Sequence, residues 1–151
     1  MASTSADLFD DLVRCETRLY NAADQRLRAA HGLAASQFEF LRYLRGHAEA
    51  RVADVATNFA AGFGAISKGM DRLERAGWIA REQHPRDRRS SVLVLTAAGS
   101  SVLEQAEETF GALLAELVEP AADAADLAAT ARVLARLRSA LEEARVGTPA
   151  G

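Results

Sequence analysis

Four arginines, Arg81, Arg86, Arg88 and Arg89, fall within nine residues around Pro85 and Asp87. Guanidinium groups packed this closely repel one another unless an anion neutralises them, and their planar forks suit phosphate and carboxylate oxygens. A second set of polar groups precedes them: Ser67, Lys68, Asp71 and Arg72. Other chemistry finds little support. His31, His47 and His84 are far apart, and no His/Cys pair has the spacing of metal ligands, so neither a metal nor another cofactor is expected. No serine sits in a nucleophile arrangement and no glycine-rich loop could cradle a phosphate, so an enzyme is not expected. Cys15 is the one cysteine. It precludes an intrachain disulfide and fits a reducing cytoplasm.

The elements that must position these groups can be read from residue spacing. Val55, Ala56 and Phe59 form an apolar face at helical spacing, and Ile66, Met70 and Leu73 form another at i, i+4, i+7. Between them Ala60, Ala61 and Gly62 are small enough for a tight turn. Gly77 ends the second helix, being free to take positive φ. Trp78 to Gln83 then reads as a strand, His84 to Arg89 as a charged loop, and Ser91 to Leu95 as a second strand. Thr96 is placed to cap the next helix. Two short helices, a tight turn and a charged hairpin make a winged helix-turn-helix. Such a unit presents its second helix to a DNA major groove.

The flanks are helical. Ala6 to Ala30, with Ser5 as the expected N-cap, carries Leu8, Leu12, Cys15, Leu19, Ala23 and Leu27 as one stripe, and Gly32 ends it. A second helix from Ser36 to His47 turns Phe38, Leu41 and Leu44 inward. Ala97 to Val118 shows Leu103, Ala106, Phe110, Leu113 and Leu117 at nearly heptad spacing. Pro120 breaks it. Asp123 or Asp126 starts a last helix with Leu127, Ala131, Leu134, Leu137 and Leu141 on one face, and residues 145–151 read as frayed. These stripes are longer than one small domain covers, so the expected partner is a second copy about a twofold axis. The fold class is therefore mainly α (α+β), a winged helix-turn-helix with a two-stranded wing hairpin. Residues 33–96 form that region, and 5–31 and 97–145 form the dimerisation helices of a single 151-residue unit.

Charge supports this division. The chain has a net charge of -3. Arg42 to Arg89 holds ten basic and six acidic residues, a balance of +4, and the remainder holds eight and fifteen, a balance of -7. A basic middle on an acidic frame suits a reader of double-stranded DNA. No run of 18 apolar residues would span a membrane, and the opening residues lack the pattern of a signal peptide, so the expected location is cytoplasmic.

These residues resemble the MarR family of bacterial transcription regulators. The similarity runs through Leu33 to Phe38 with Leu41 and Leu44, Val55-Ala56, Ile66-Ser67, Asp71 to Gly77 and Arg81. It continues through Pro85 to Ser90 and on to Leu95-Thr96-Ala97-Ala98-Gly99. The resemblance implies a homodimeric regulator, a repressor in the first reading, on a pseudo-palindromic operator. Phe63, Ala65, Ser67, Lys68 and Arg72 are the expected groove residues, with Arg86, Arg88 and Arg89 in the wing. Gly62 and Gly64 stand where the family usually has polar residues, which suggests fewer base contacts and more reliance on DNA shape. Gly64 and Gly69 either loosen the helix or allow close packing. Asp87 is expected to hold Arg89 or Arg81, leaving Arg88 or Arg86 for the minor groove.

The resemblance also implies a small-molecule effector, such as an aromatic acid, between the dimer helices and the winged unit. Arg18, Phe38, Arg42, Tyr43, His47 and Trp78 are the residues near that junction, with Phe63 beside them. Two alternatives stand beside this. One is a redox switch through Cys15, although the family's sensing cysteine falls near Asp10 here, its partner tyrosines fall at Asp24 and Ala35, and the Cys15 stripe predicts burial. The other is a winged-helix module that binds protein.

Overall fold

A computed structural model describes residues 3–149. In chain order it contains α1 (Thr4–His31), α2 (Ala35–Gly46), α3 (Val52–Asn58), α4 (Phe63–Arg75), β1 (Ile79–His84), β2 (Asp87–Leu95), α5 (Ala97–Leu117), a single 3-10 turn (Glu119–Ala121) and α6 (Ala124–Glu143). Met1 and Ala2, in the stretch read against a signal peptide, and residues 150–151, at the end of the frayed reading, lie outside the described residues.

Helix ends follow local chemistry. Ser3, not Ser5, caps α1, its side chain accepting from the Ala6 N–H at 3.2 Å, because Ser3 has the extended backbone a cap needs and Ser5 lies within the helix. Gly32 closes α1 at φ +64. Asp24 of α1 reaches across to accept from the Ala35 N–H at 2.9 Å, satisfying a first-turn donor of α2. Pro120 falls in the 3-10 turn after α5, and Asp123 caps α6 by accepting from Asp126 N–H at 2.8 Å.

The core joins Phe38, Leu41 and Leu44 of α2, Val55 of α3, Ile66, Met70 and Leu73 of α4, Ile79 and Leu93 of the hairpin, Leu103 and Ala106 of α5, and Leu27 of α1. The hairpin is antiparallel, pairing Ile79 with Leu95 through Gln83 with Ser91, then shifting register so that His84 faces Asp87. The wing therefore turns on Pro85 and Arg86 alone. The expected six-residue charged loop is shorter because charged side chains on an exposed hairpin do not oppose backbone pairing. The Leu93 N–H also donates to the Ala50 carbonyl at 2.8 Å, adding the α2–α3 connection to the sheet edge.

One junction ties these parts together. Thr96 Oγ1 donates to the Gly77 carbonyl at 2.6 Å and accepts from the Gly99 N–H at 3.0 Å, and the Thr96 N–H donates to the Trp78 carbonyl at 3.0 Å. A Cβ on Gly99 would lie 1.9 Å from that same Trp78 oxygen. The glycine is required by close approach.

Two of the predicted stripes remain largely uncovered on the single chain. In α1 only Ala23 and Leu27 are buried, and Phe9 is 64% exposed. No residue of α6 is buried. Cys15, expected to be buried on the α1 stripe, is exposed, because the end of α1 that carries it extends past the core. Among the described residues no helix is long and apolar enough to cross a membrane.

Three carboxylates link helices and sit below their usual range. Glu107 is lowered mainly by its hydrogen bonds from Arg45, Nη1 to Oε2 at 2.7 Å and Nη2 to Oε1, and Glu116 by Arg26. Asp24 is lowered first by Arg28, then by the Ala35 N–H.

Two outcomes follow from these contacts. Gly99→Ala should lower unfolding stability by about 3 kcal/mol in urea denaturation, since a backbone carbonyl must move; an unchanged midpoint would refute the close approach. Carboxyls held low in the folded state contribute above their unfolded pKa and lose that contribution as pH falls through the folded value. Glu107→Gln should therefore reduce stability at pH 7 and flatten its decline between about pH 5 and pH 3, in denaturation curves collected across that range.

Candidate nucleic-acid interface

The turn between α3 and α4 is built as the small residues allow. Ala60 takes φ +47, the Ala61 N–H donates to the Ala56 carbonyl at 3.0 Å, and Gly62 leads into α4 with extended backbone. Ile66, Met70 and Leu73 bury one face of α4. Phe63, Ala65, Lys68 and Arg72 are exposed, while Ser67 and Asp71 are half-buried. Gly69 is explained by packing: a Cβ there would meet the Phe40 ring at 3.3 Å, and that ring lies edge-on to Phe59 at 5.2 Å. Gly62 and Gly64 have open space around them.

Arg81 fastens the hairpin to α4. Its Nη1 donates to Asp71 Oδ1 at 2.9 Å and to Glu74 Oε1 at 3.0 Å. Arg81 is thus not held by Asp87, because β1 runs beside α4 and brings two carboxylates closer. Asp71 is consequently engaged within the fold. Asp87 acts on its own strand, its Oδ1 accepting from the Arg89 backbone N–H at 3.1 Å, and no ion pair to the Arg89 guanidinium forms.

The base of the wing holds a cluster that residue spacing did not reveal. His84, expected to open the charged loop, is instead the last residue of β1 and is buried. Its Nδ1 accepts from the Arg86 N–H at 3.1 Å, which in the neutral ring places the hydrogen on Nε2, 3.7 Å from Glu49 Oε2. The same Glu49 oxygen accepts from Arg86 Nη2 at 2.8 Å. Glu49 adopts φ +64 to stand there. Its contacts are 35 and 37 positions away in sequence, so no local pattern announces them.

Charge is therefore sorted. Arg42 pairs with Glu39, Arg45 with Glu107, Arg81 with Asp71 and Glu74, and Arg86 with Glu49. Lys68, Arg72 and Arg75 on α4, and Arg88 and Arg89 on β2, have no acidic partner among the described residues. Three of these five cations lie on α4 and two on β2.

The residues expected at an effector junction do not all meet. Arg42, Tyr43 and His47 line open hollows between α2, α3 and the end of α6, the larger of about 810 Å³. Tyr43 stacks on His47 at 3.9 Å, and burial raises the Tyr43 hydroxyl above its usual range. Phe38 instead lies in the core against Phe110 at 5.0 Å, with the Arg42 guanidinium 5.4 Å above its ring. Trp78 belongs to the Thr96–Gly99 junction, and Arg18 is exposed on α1, so neither lines these hollows. Asp54, Phe59 and Arg138 line them and were not anticipated. The three histidines stay separate, His31 against Thr109, His47 on Tyr43 and His84 in the wing.

Two helices at a tight turn, the second exposed and followed by a basic two-stranded hairpin, define a winged helix-turn-helix protein. The MarR family model matches residues 33–91. It is 26% identical over 117 residues to the multiple antibiotic resistance protein MarR of Escherichia coli, covering 74% of this chain and 81% of that protein. A MarR family transcriptional regulator from Streptomyces coelicolor, solved in complex with DNA, superposes with a TM-score of 0.81 at 19% identity, over 93% of this chain and 90% of that one. BpsR of Bordetella bronchiseptica, whose DNA binding is regulated by 6-hydroxynicotinic acid, superposes at 0.77 with 21% identity, over 91% and 97%.

Proposed function

We propose that this chain is a transcription regulator that binds double-stranded DNA as a homodimer and represses from a pseudo-palindromic operator. The observation that carries the reading is the set of five cations without acidic partners on α4 and β2. Arg81 and Arg86 of the wing are neutralised within the fold, so on α4 and the hairpin these five carry the uncompensated charge that phosphates attract. Arg88 and Arg89 are the wing residues available to the minor groove, because Arg86 is held by Glu49 while these two are exposed without a partner.

The uncovered apolar residues of α1 and α6 support the dimer. Leu8, Phe9, Leu12 and Val13 on α1 and Val133, Leu137 and Leu141 on α6 are exposed on the single chain. A second copy covers such surface most simply, and a twofold axis spaces two α4 helices about 34 Å apart for successive major grooves. The hollow where Tyr43 and His47 stack beside Arg42 and Arg138 is a place for a small acidic aromatic effector, which would displace Glu39 and Glu142 from these two arginines. Release of DNA then follows if the effector prefers a dimer whose α4 helices are wrongly spaced.

The reading is tested by fluorescence anisotropy on the duplex upstream of the chain's own gene, titrated across salt. Binding should exceed that to a scrambled duplex and weaken as salt rises. Arg88→Ala should make the log–log salt slope shallower by about 1. Arg86→Ala should change it less, since Glu49 already compensates that charge. Equal affinity for scrambled DNA with no effect of Arg88→Ala would refute it. Sedimentation velocity should show a dimer that Phe9→Asp converts to monomer; a monomeric wild type at micromolar concentration would overturn the assembly.

A further inference from the structure

Phe63 is 61% exposed and occupies the first position of α4. Every other exposed large apolar side chain among the described residues lies on α1, α5 or α6, or at Val146 just after α6. Those belong to the surface a second copy would cover. Phe63 stands alone on the winged unit, where such a copy offers no cover. It also takes no part in the aromatic packing beneath it, which joins Phe40, Phe59 and Tyr43.

The side chains around it are as informative. Gly62 and Gly64 flank it, and a Cβ on either would meet nothing within 4 Å. Ala65 is exposed and offers only a methyl group. The first polar side chains along α4 are Ser67, half-buried, and Lys68, more than one turn from Phe63. The leading turn of this helix therefore has no hydrogen-bonding side chain, and its backbone can approach a surface closely. In a helix-turn-helix that turn meets the base edges. The major-groove feature an apolar side chain can recognise is the C5 methyl of thymine, since the other distinguishing groups are donors and acceptors.

We infer that Phe63 is a specificity-determining residue that reads thymine methyl groups in the operator. The inference rests on the DNA-binding reading above. It assigns the base contact to hydrophobic burial of an aromatic ring against methyl groups. Affinity comes separately, from Lys68, Arg72 and Arg75 on phosphates and from Arg88 and Arg89 of the wing in and beside the minor groove.

The test starts from duplexes enriched by the wild-type protein from a randomised pool. Each enriched duplex is remade with deoxyuridine at every thymine, which removes the methyl groups and keeps every donor and acceptor of the base pairs. Wild type should bind the deoxyuridine duplex more weakly, by about fourfold for each contacted methyl. Phe63→Ala, a change at an exposed position, should bind both duplexes within about twofold of each other. Arg88→Ala should weaken binding to both and retain the deoxyuridine penalty. A wild type indifferent to the substitution, or a penalty that survives in Phe63→Ala, overturns the assignment while leaving DNA binding intact. A pool that yields no enriched sequence overturns the DNA reading and the assignment together.

Discussion

The approach of Gly99 to the Trp78 carbonyl is the constraint on which the arrangement of the winged unit depends. No side chain fits between them. Thr96 completes the contact by bonding Gly77, Trp78 and Gly99 at once. The end of α4, the start of β1, the end of β2 and the first turn of α5 therefore share one rigid corner. Leu103 and Ala106 carry α5 on through the core, and Leu113 is buried further along it. The corner joins α5 directly to the end of α4 and to the wing, and α2, which packs on both α5 and β2, joins them a second time.

A second level of organisation is electrostatic. Opposite charges are used where elements must be held at fixed angles: Arg81 between hairpin and α4, Arg86 between wing tip and the α2–α3 connection, Arg45 and Arg26 between α5 and its neighbours. These pairs are partly exposed, so each contributes little to stability. Their value is geometric. They neutralise Arg26, Arg45, Arg81 and Arg86, while Lys68, Arg72 and Arg75 on α4 and Arg88 and Arg89 on β2 stay uncompensated. A chain of net charge -3 thereby keeps a group of unpaired cations on α4 and β2.

The helices outside the winged unit follow a different logic. The distal part of α1 and the whole of α6 keep their apolar residues near or at the surface of the single chain. Apolar area left in water is unfavourable in proportion to its extent. The winged unit satisfies its own core; these helices do not.

Much of this was legible in the amino-acid order. Helical spacing placed Ile66, Met70 and Leu73 inward, positive-φ glycines marked the ends of α1 and α4, and Thr96 announced the α5 cap, because each depends only on neighbours within a turn or two. The resemblance carried by Asp71 to Gly77 and Leu95 to Gly99 pointed to the family for the same reason: it is written in short contiguous runs. Tertiary structure alone decided the rest. Arg81 turns to Asp71 and Glu74 and away from Asp87, His84 is buried beside Glu49, and Cys15 is exposed. Two charged residues of equal type differ only in which distant backbone brings a counter-charge within reach. Periodicity can say which face of an element is inward, but it carries no information about what stands opposite that face.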